Sequence, residues 1–158
     1  MLHLFEKAMI LPVLWLFLLA GAAPAAGQSV SAFGVADIET SSGGWGVSLI
    51  TSRPEITDIS YVSTGSYRLI QAAGLSNALG VLPVSVGLAI GYVDPTADNP
   101  PFSRGFVSGL EVGMGIVKSS AGVSITLKAT SLSTEFNPIK WVSDPDMLWI
   151  GAGLSFSF

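Results

Sequence analysis

The segment Ala121–Thr130, with the sequence AGVSITLKAT, alternates between two kinds of side chain. The first set is apolar and the second is small or polar. The apolar set is Ala121, Val123, Ile125, Leu127 and Ala129, and the other set is Gly122, Ser124, Thr126, Lys128 and Thr130. Because successive side chains of a strand point to opposite faces, this alternation predicts a β-strand with one bulky face and one small face.

The same alternation recurs along the rest of the chain. It is clear in residues 83–93, residues 105–118 and residues 147–158. It is less regular in four earlier segments that are also predicted to be strands, namely Ser29–Glu39, Gly44–Ser52, Ile56–Ser63 and Ser66–Leu75. Clusters of Gly, Pro, Asn, Asp and Ser separate these segments, as expected for turns. The sequence therefore predicts eight strands.

The small face decides which kind of sheet these strands form. A soluble antiparallel sheet carries charged side chains on its wet face, but only 11% of this chain is charged and 49% is hydrophobic. Gly, Ser, Ala and Thr fit the interior of a narrow barrel of about eight strands, with the bulky face turned to lipid. The prediction is an all-β fold, an eight-stranded antiparallel transmembrane β-barrel.

Residues 1–26 have the features of a cleavable signal peptide. Lys7 precedes an apolar run from Ala8 to Ala23, and the small residues Ala23-Pro24-Ala25 follow. The run is about 16 residues, shorter than the ~20 that a spanning helix needs. We therefore expect residues 27–158 to form the barrel. The chain has no Cys and a single His, His3, so the mature protein is expected to lack both residue types.

The predicted connections differ in length. Short turns are expected at Ser52–Glu55, Ser76–Gly80 and Ser119–Ser120, and long loops at Asp94–Arg104 and Asn137–Asp146. Short turns on one side of the membrane and longer loops on the other are typical of outer-membrane barrels.

The C-terminal stretch Gly151–Phe158 carries the most specific family signal. It ends in Phe158, with Phe156 and Leu154 at alternate positions before it. From about residue 28 to residue 158, the chain resembles the small OmpA/OmpX-type outer-membrane β-barrels. That resemblance implies a bacterial outer-membrane location, with outer-membrane lipid and lipopolysaccharide as surroundings. It also implies that the barrel-assembly machinery reads Phe158, Phe156 and Leu154 during biogenesis. Trp149 departs from the pattern, since its parity places it in the lumen or at the rim.

Glu111 and Lys128 are candidates for a lumenal ion pair. If strands six and seven fold about Ser119–Ser120, the two residues lie directly opposite each other on the small face, where opposite charges attract. Arg68 is a candidate third member from across the lumen. One interpretation is a structural ion pair inside the barrel, because an unpaired buried charge is costly; the other is a gate or a proton-linked switch.

The missing histidine argues against an enzyme. Known barrel enzymes include lipid A deacylases, lipid A palmitoyltransferases, outer-membrane phospholipases and outer-membrane proteases. They use His as, or beside, the base that activates serine or water. An arrangement of Ser124 with Lys128 and Glu111 is the remaining alternative. The prediction is a non-enzymatic protein without a cofactor.

The long loops supply the candidate contact residues. Asp94, Asp98, Asp144 and Asp146 could bind Ca²⁺ or bridge lipopolysaccharide phosphates through a divalent cation, but no EF-hand spacing is present and no metal site is predicted. Their other interpretation is as solvated acidic residues. Trp141, beside Lys140, is either a contact for a ligand or surface or an anchor at the lipid interface.

The composition and the predicted topology are compatible with three functions. The net charge of −4 excludes a basic nucleic-acid-binding face. The leading hypothesis is an envelope-structural or surface-binding role carried by the external loops. The alternatives are a lipid A- or phospholipid-modifying enzyme and a narrow passive channel, and the sequence does not determine the oligomeric state.

Overall fold

A computed structural model describes residues 28–51, 56–76, 84–98, 102–118 and 122–157. These residues form eight strands and one short helix. The elements are β1 (Gln28–Asp37), β2 (Ser42–Thr51), β3 (Ile56–Thr64), β4 (Tyr67–Ser76), β5 (Val84–Pro95), β6 (Gly105–Lys118), β7 (Val123–Ser133), α1 (Pro138–Ser143) and β8 (Met147–Ser157). The predicted strands are confirmed to within a few residues at each boundary. The predicted signal peptide, residues 1–26, lies outside the described residues.

The eight strands close into a single antiparallel barrel. Each strand pairs with the next in sequence, and β8 pairs with β1 from Ser29↔Ser157 to Asp37↔Trp149. Closure leaves no strand edge exposed. The predicted eight-stranded all-β barrel is therefore confirmed.

The two ends of the barrel differ. Gln28 and Ser157 lie at one end with the connections that follow β2, β4 and β6, and we call it the terminal end. The connections that follow β1, β3, β5 and β7 lie at the opposite end, the loop end. Residues 52–55, 77–80 and 119–120, in which the short turns were predicted, lie outside the described residues.

Part of the predicted loop 137–146 is the helix α1, and its local sequence explains why. Asn137 caps the helix, with its side-chain oxygen accepting a hydrogen bond from the backbone nitrogen of Ile139 at 3.0 Å. Pro138 occupies the first turn, where its missing N–H has no cost. In the described ranges, no helix combines the length and the hydropathy that crossing a membrane requires.

The outer wall of the barrel is apolar. Large hydrophobic side chains on the outward faces of the strands are 39–82% exposed; they include Ile59, Ile70, Leu88, Ile90, Tyr92, Phe106, Val112, Ile125, Ile150, Leu154 and Phe156. The interior holds buried charged and polar groups, among them Asp58, Glu111 and Lys128. An apolar outer surface around buried charged groups is the inverse of a water-soluble protein, in which charged residues are mostly exposed.

The loop half of the lumen is filled by large apolar side chains, which we call the apolar plug. Its members are Phe33, Val35, Val62, Tyr67, Leu69, Val93, Phe102, Val107, Leu132, Met147 and Trp149, all at most 7% exposed. The expectation of a lumen lined throughout by small residues is wrong for this half.

Small residues on some strands make room for large residues on others. Trp149 lies in the lumen, fully buried, and its ring stacks on Phe33 at 5.8 Å between centroids. A Cβ atom on Gly46 would collide with the Phe33 ring, and one on Gly151 would come within 2.8 Å of it. The glycines of β2 and β8 thus form the surface on which the aromatic pair packs.

Candidate functional site

The lumenal charge cluster lies below the apolar plug and consists of Asp58, Lys128, Glu111, Gln71 and Thr130. At its centre, the Lys128 Nζ atom forms an ion pair with the Asp58 carboxylate, and both side chains are at most 2% exposed. The Nζ atom also donates hydrogen bonds to Ser48 Oγ at 2.8 Å and Ser60 Oγ at 3.4 Å. β7 and β3 lie on opposite sides of the barrel, so the pair spans the lumen.

Glu111 occupies the other side of the cluster. Its Oε2 atom accepts hydrogen bonds from Gln71 Nε2 and, at 3.3 Å, from Thr130 Oγ1. Glu111 Oε1 and Gln71 Oε1 are buried without a partner. The cluster therefore holds two carboxyl groups, one lysine and unsatisfied acceptors in the barrel interior, where unpaired polar groups are costly.

The predicted direct pairing of Glu111 with Lys128 is wrong. Across the β6–β7 hairpin, Glu111 is opposite Thr130 and Lys128 is opposite Gly113, a displacement of two residues from the expected register. The connection between the strands is longer than the two-residue turn assumed, and the register also shifts between Ile116 and Lys118. Both charged residues face the lumen, but Lys128 reaches across it to Asp58 rather than along the hairpin to Glu111.

Arg68 does not belong to the cluster. It alternates with the buried lumenal residues Tyr67 and Leu69, which places it on the outer face of β4. There it is directly across from Asp94 of β5 and Ser63 of β3. Its assignment to the lumen is therefore wrong, because neighbouring residues of a strand face opposite sides.

The cluster is closed on the loop side and accessible on the terminal side. The Lys128 Nζ atom lies 5.1 Å from the centroid of the Phe33 ring, a cation–π distance. On the terminal side, a cavity of about 180 Å³ reaches Asp58 and Lys128, and Ser124 is among its lining residues. The hydrogen bonds of Lys128 Nζ go to Ser48 and Ser60, so Ser124 is not the serine that this lysine contacts.

The acidic loop residues have separate local partners. Asp94 forms an exposed ion pair with Arg104 at 2.6 Å, and Asp98 is exposed. Asp146 accepts hydrogen bonds from Ser133 Oγ and from the backbone nitrogen and hydroxyl of Thr134 at 2.7–3.0 Å. Asp144 ends helix α1. Within the described ranges, no group of three or more His, Asp or Glu residues is arranged to hold a metal ion.

Trp141 and Lys140 have different environments although they are adjacent. Trp141 is only 5% exposed; its carbonyl accepts a hydrogen bond from Ser131 Oγ on the outer wall of β7. Lys140 lies in solvent and pairs with Glu135 at 2.6 Å. That hydrogen bond raises the pKa of Lys140. Helix α1 thus folds against the outside of the barrel, with Trp141 between the helix and the wall.

The residues of the predicted assembly signal lie on the outer face of β8. Leu154 and Phe156 are 49% and 48% exposed, while Phe158 lies outside the described residues.

Several lumenal residues were not singled out from the sequence. Asp58 and Gln71 lie in β3 and β4, where alternation is less regular, and Tyr67 donates a hydrogen bond to Asp37 near the loop end. The alternation of positions along β3 and β4 is the sequence signal that could have placed these residues in the lumen. Asp58 shares its parity with Ser60 and Val62, and all three are buried.

No family model and no curated protein matches the chain. Among solved structures, the chain is similar to one described as a de novo design of transmembrane beta-barrels, with 9% sequence identity and a TM-score of 0.49. The match covers 85% of this chain and 98% of that chain.

Proposed function

We propose that the chain is an integral protein of a bacterial outer membrane, with an envelope-structural or surface-binding role carried by its loop end. The inverted polarity of the barrel is the observation that supports this most. An outer wall of exposed Ile, Leu and Phe around an ion pair that is at most 2% exposed is stable in lipid and unfavourable in water.

The loop end is the side that we propose faces outward. It carries helix α1 and the connection between β5 and β6, which are the longer connections expected outside the cell. It also presents Phe136, Ile139 and Val142, each at least 75% exposed. Binding and recognition residues concentrate in loops held by a rigid scaffold.

The test is to express the full chain in a Gram-negative host and to separate the envelope fractions. We expect the protein in the outer membrane, migrating differently with and without boiling, and we expect deletion of Phe158 to impair assembly. Recovery from the soluble periplasmic fraction would contradict the barrel's membrane location, and normal assembly without Phe158 would contradict only the assembly signal.

A narrow channel is the second candidate, favoured by the cavity of about 180 Å³ on the terminal side. The apolar plug argues against it, because large side chains occupy the loop half of the lumen. Planar-bilayer recordings separate the two proposals: steady single-channel conductance from the wild-type protein would favour the channel. For the enzyme alternative, altered lipids on thin-layer chromatography after expression would be the decisive result.

A further inference from the structure

Helix α1 and the residue before its cap are apolar on more than one side. Trp141 is buried where the helix contacts β6 and β7 on the outside of the barrel. Phe136, Ile139 and Val142 are 75–80% exposed, and the Phe136 ring lies edge-on to Trp141 at 5.4 Å between centroids. Large hydrophobic side chains exposed side by side mark a surface that another apolar phase or a partner covers.

The outer wall shows where a hydrocarbon layer would end at the loop end. Tyr92 of β5 is directly across from Phe106 of β6, and both rings are exposed and in edge-to-face contact. Two residues further toward the loop end are Asp94 and Arg104, which form an exposed ion pair. Exposed aromatic residues with charges beyond them are typical of the membrane–water interface. The Tyr92–Phe106 pair therefore marks the level of that interface.

Helix α1 lies against the wall below this level. Val142 lines a groove together with Leu110 and Val112, which is near the middle of β6. These two wall residues are four and six positions beyond Phe106, or about 13 and 20 Å along a strand. At a strand tilt of roughly 40°, they are about 10 and 15 Å below the interface, within an apolar band about 25 Å tall. The helix thus flanks the loop-side half of the band.

The backbone of α1 is suited to this depth, because polar backbone groups in hydrocarbon need partners within the protein. The backbone nitrogen of Ile139 donates to the Asn137 side chain at 3.0 Å. The carbonyl of Ile139 accepts from Ser143 Oγ at 2.9 Å, and the carbonyl of Trp141 accepts from Ser131 Oγ. Side chains therefore satisfy groups that the ends of so short a helix leave without intrahelical partners.

The charge on the helix is held at the water side. Lys140 pairs with Glu135 at 2.6 Å, and Glu135 is two residues past Ser133, where β7 ends at the loop end. Lysine side chains commonly extend from an apolar environment to place the ammonium group at the interface.

We propose that helix α1 is embedded in the hydrocarbon layer of the membrane, with Phe136, Ile139 and Val142 in contact with the acyl chains of the leaflet on the loop side. Lipid then covers these side chains as it covers the outer wall. The inference rests on the membrane location in the proposed function and assigns this part of the loop end to the lipid rather than to an external partner.

Spin-label accessibility tests the assignment, since the chain has no Cys and a single introduced Cys carries the only label. Ile139→Cys and Val142→Cys are labelled with a nitroxide and refolded into vesicles of dioleoyl phosphatidylcholine. Oxygen concentrates in the hydrocarbon, whereas a water-soluble nickel complex is excluded from it. We expect both labels to be accessible to oxygen and shielded from nickel, as Ile90→Cys on the wall should be. Asp98→Cys, exposed in the connection between β5 and β6, is the control in water and should show the opposite.

The possible outcomes separate this inference from the proposed function. Nickel access at Ile139→Cys and Val142→Cys, with Ile90→Cys shielded, would overturn the inference alone. Nickel access at Ile90→Cys as well would overturn the membrane location together with it. Shielding of the helix labels from both reagents would overturn contact with lipid, and dipolar broadening between labels would then identify a second copy of the chain as the cover.

Amide hydrogen exchange in the same vesicles tests the contact without a label. Ile139→Ser removes apolar surface that the proposal places in lipid, and it should speed exchange in residues 138–144 by about tenfold or more. Lys140→Ser introduces the same residue at the next position and removes an exposed ion pair, so it should speed exchange by about fivefold or less. Equal effects of the two substitutions would contradict the burial of Ile139 in lipid.

Discussion

The ion pair between Lys128 and Asp58 joins strands on opposite sides of the barrel, and both of its side chains are at most 2% exposed. Removing one partner leaves a buried charge without compensation, which costs roughly 3–5 kcal/mol in proteins. Removing both costs less, because neither member of the pair is then left without the other.

We therefore expect Lys128→Met to destabilise the barrel by about 3–5 kcal/mol, and the double variant Asp58→Asn with Lys128→Met to recover most of that loss. Urea unfolding of the four proteins in lipid vesicles gives the coupling energy as a double-mutant cycle. Lys140→Met, which removes an exposed lysine, is the control and should leave the urea midpoint unchanged. Strictly additive costs would mean that the pair does not form.

The glycines that face Phe33 provide a second prediction about single residues. Gly46→Ala places a methyl group against the Phe33 ring, and we expect it to cost about 1–3 kcal/mol, as overpacking does. Gly34→Ala on the outer face is the matched control, since no atom lies within 4 Å of its added methyl group. The two urea midpoints are compared directly; equal midpoints would contradict the packing of Phe33 on β2.

At the scale of elements, helix α1 is held to the barrel through few contacts. The hydrogen bond from Ser131 to the carbonyl of Trp141 is the polar contact that fastens it to β7. A six-residue helix is not stable by itself, so its order depends on this attachment and on the Asn137 cap.

Ser131→Ala should accordingly speed amide hydrogen exchange in residues 138–144 without changing exchange in the strands. A bond worth about 0.5–1.5 kcal/mol corresponds to an increase of about twofold to twelvefold. Exchange measured by mass spectrometry resolves the two regions. Ser63→Ala, on the outer face of β3, is the control. An increase spread over β7 and β8 would show that the substitution weakens the barrel rather than the attachment of the helix.

At the scale of the whole molecule, the proposed membrane location predicts that the cost of a charge on the outer wall depends on how deep its position lies in the bilayer. Ile90 lies near the middle of β5 and is 63% exposed, whereas Ile38 follows β1 at the loop end and is 54% exposed. Arginine on the lipid face costs about 2–4 kcal/mol at the midplane and about 0–1 kcal/mol near the interface.

Ile90→Arg should thus destabilise the refolded protein in vesicles far more than Ile38→Arg. The two residues have similar exposure, so exposure alone cannot account for a difference. Unfolding titrations in vesicles measure both costs, and equal costs would argue that β5 does not cross a bilayer.

Residue alternation was sufficient to predict the number of strands, their approximate bounds and, in β5 to β8, their faces, because the period of a strand is a local property of the backbone. The same alternation placed Trp149, Glu111 and Lys128 on the lumenal face. Ser155 was also placed on the small face of its strand, and its hydroxyl lies 2.5 Å from that of Ser31 in the barrel.

Partners across the lumen could not be predicted, since they depend on closure and register. A two-residue displacement of the β6–β7 register leaves every face unchanged and still separates Glu111 from Lys128, while barrel closure brings Asp58, 70 positions away in sequence, to the lysine. The apolar plug has the same origin. Phe33, Tyr67 and Trp149 come from three strands, and only the closed barrel brings their side chains and the glycines between them into one interior. The sequence by itself determined the strands and the faces of the regularly alternating ones, because backbone periodicity is local. The tertiary structure decided the partners, because they are set by the geometry of closure.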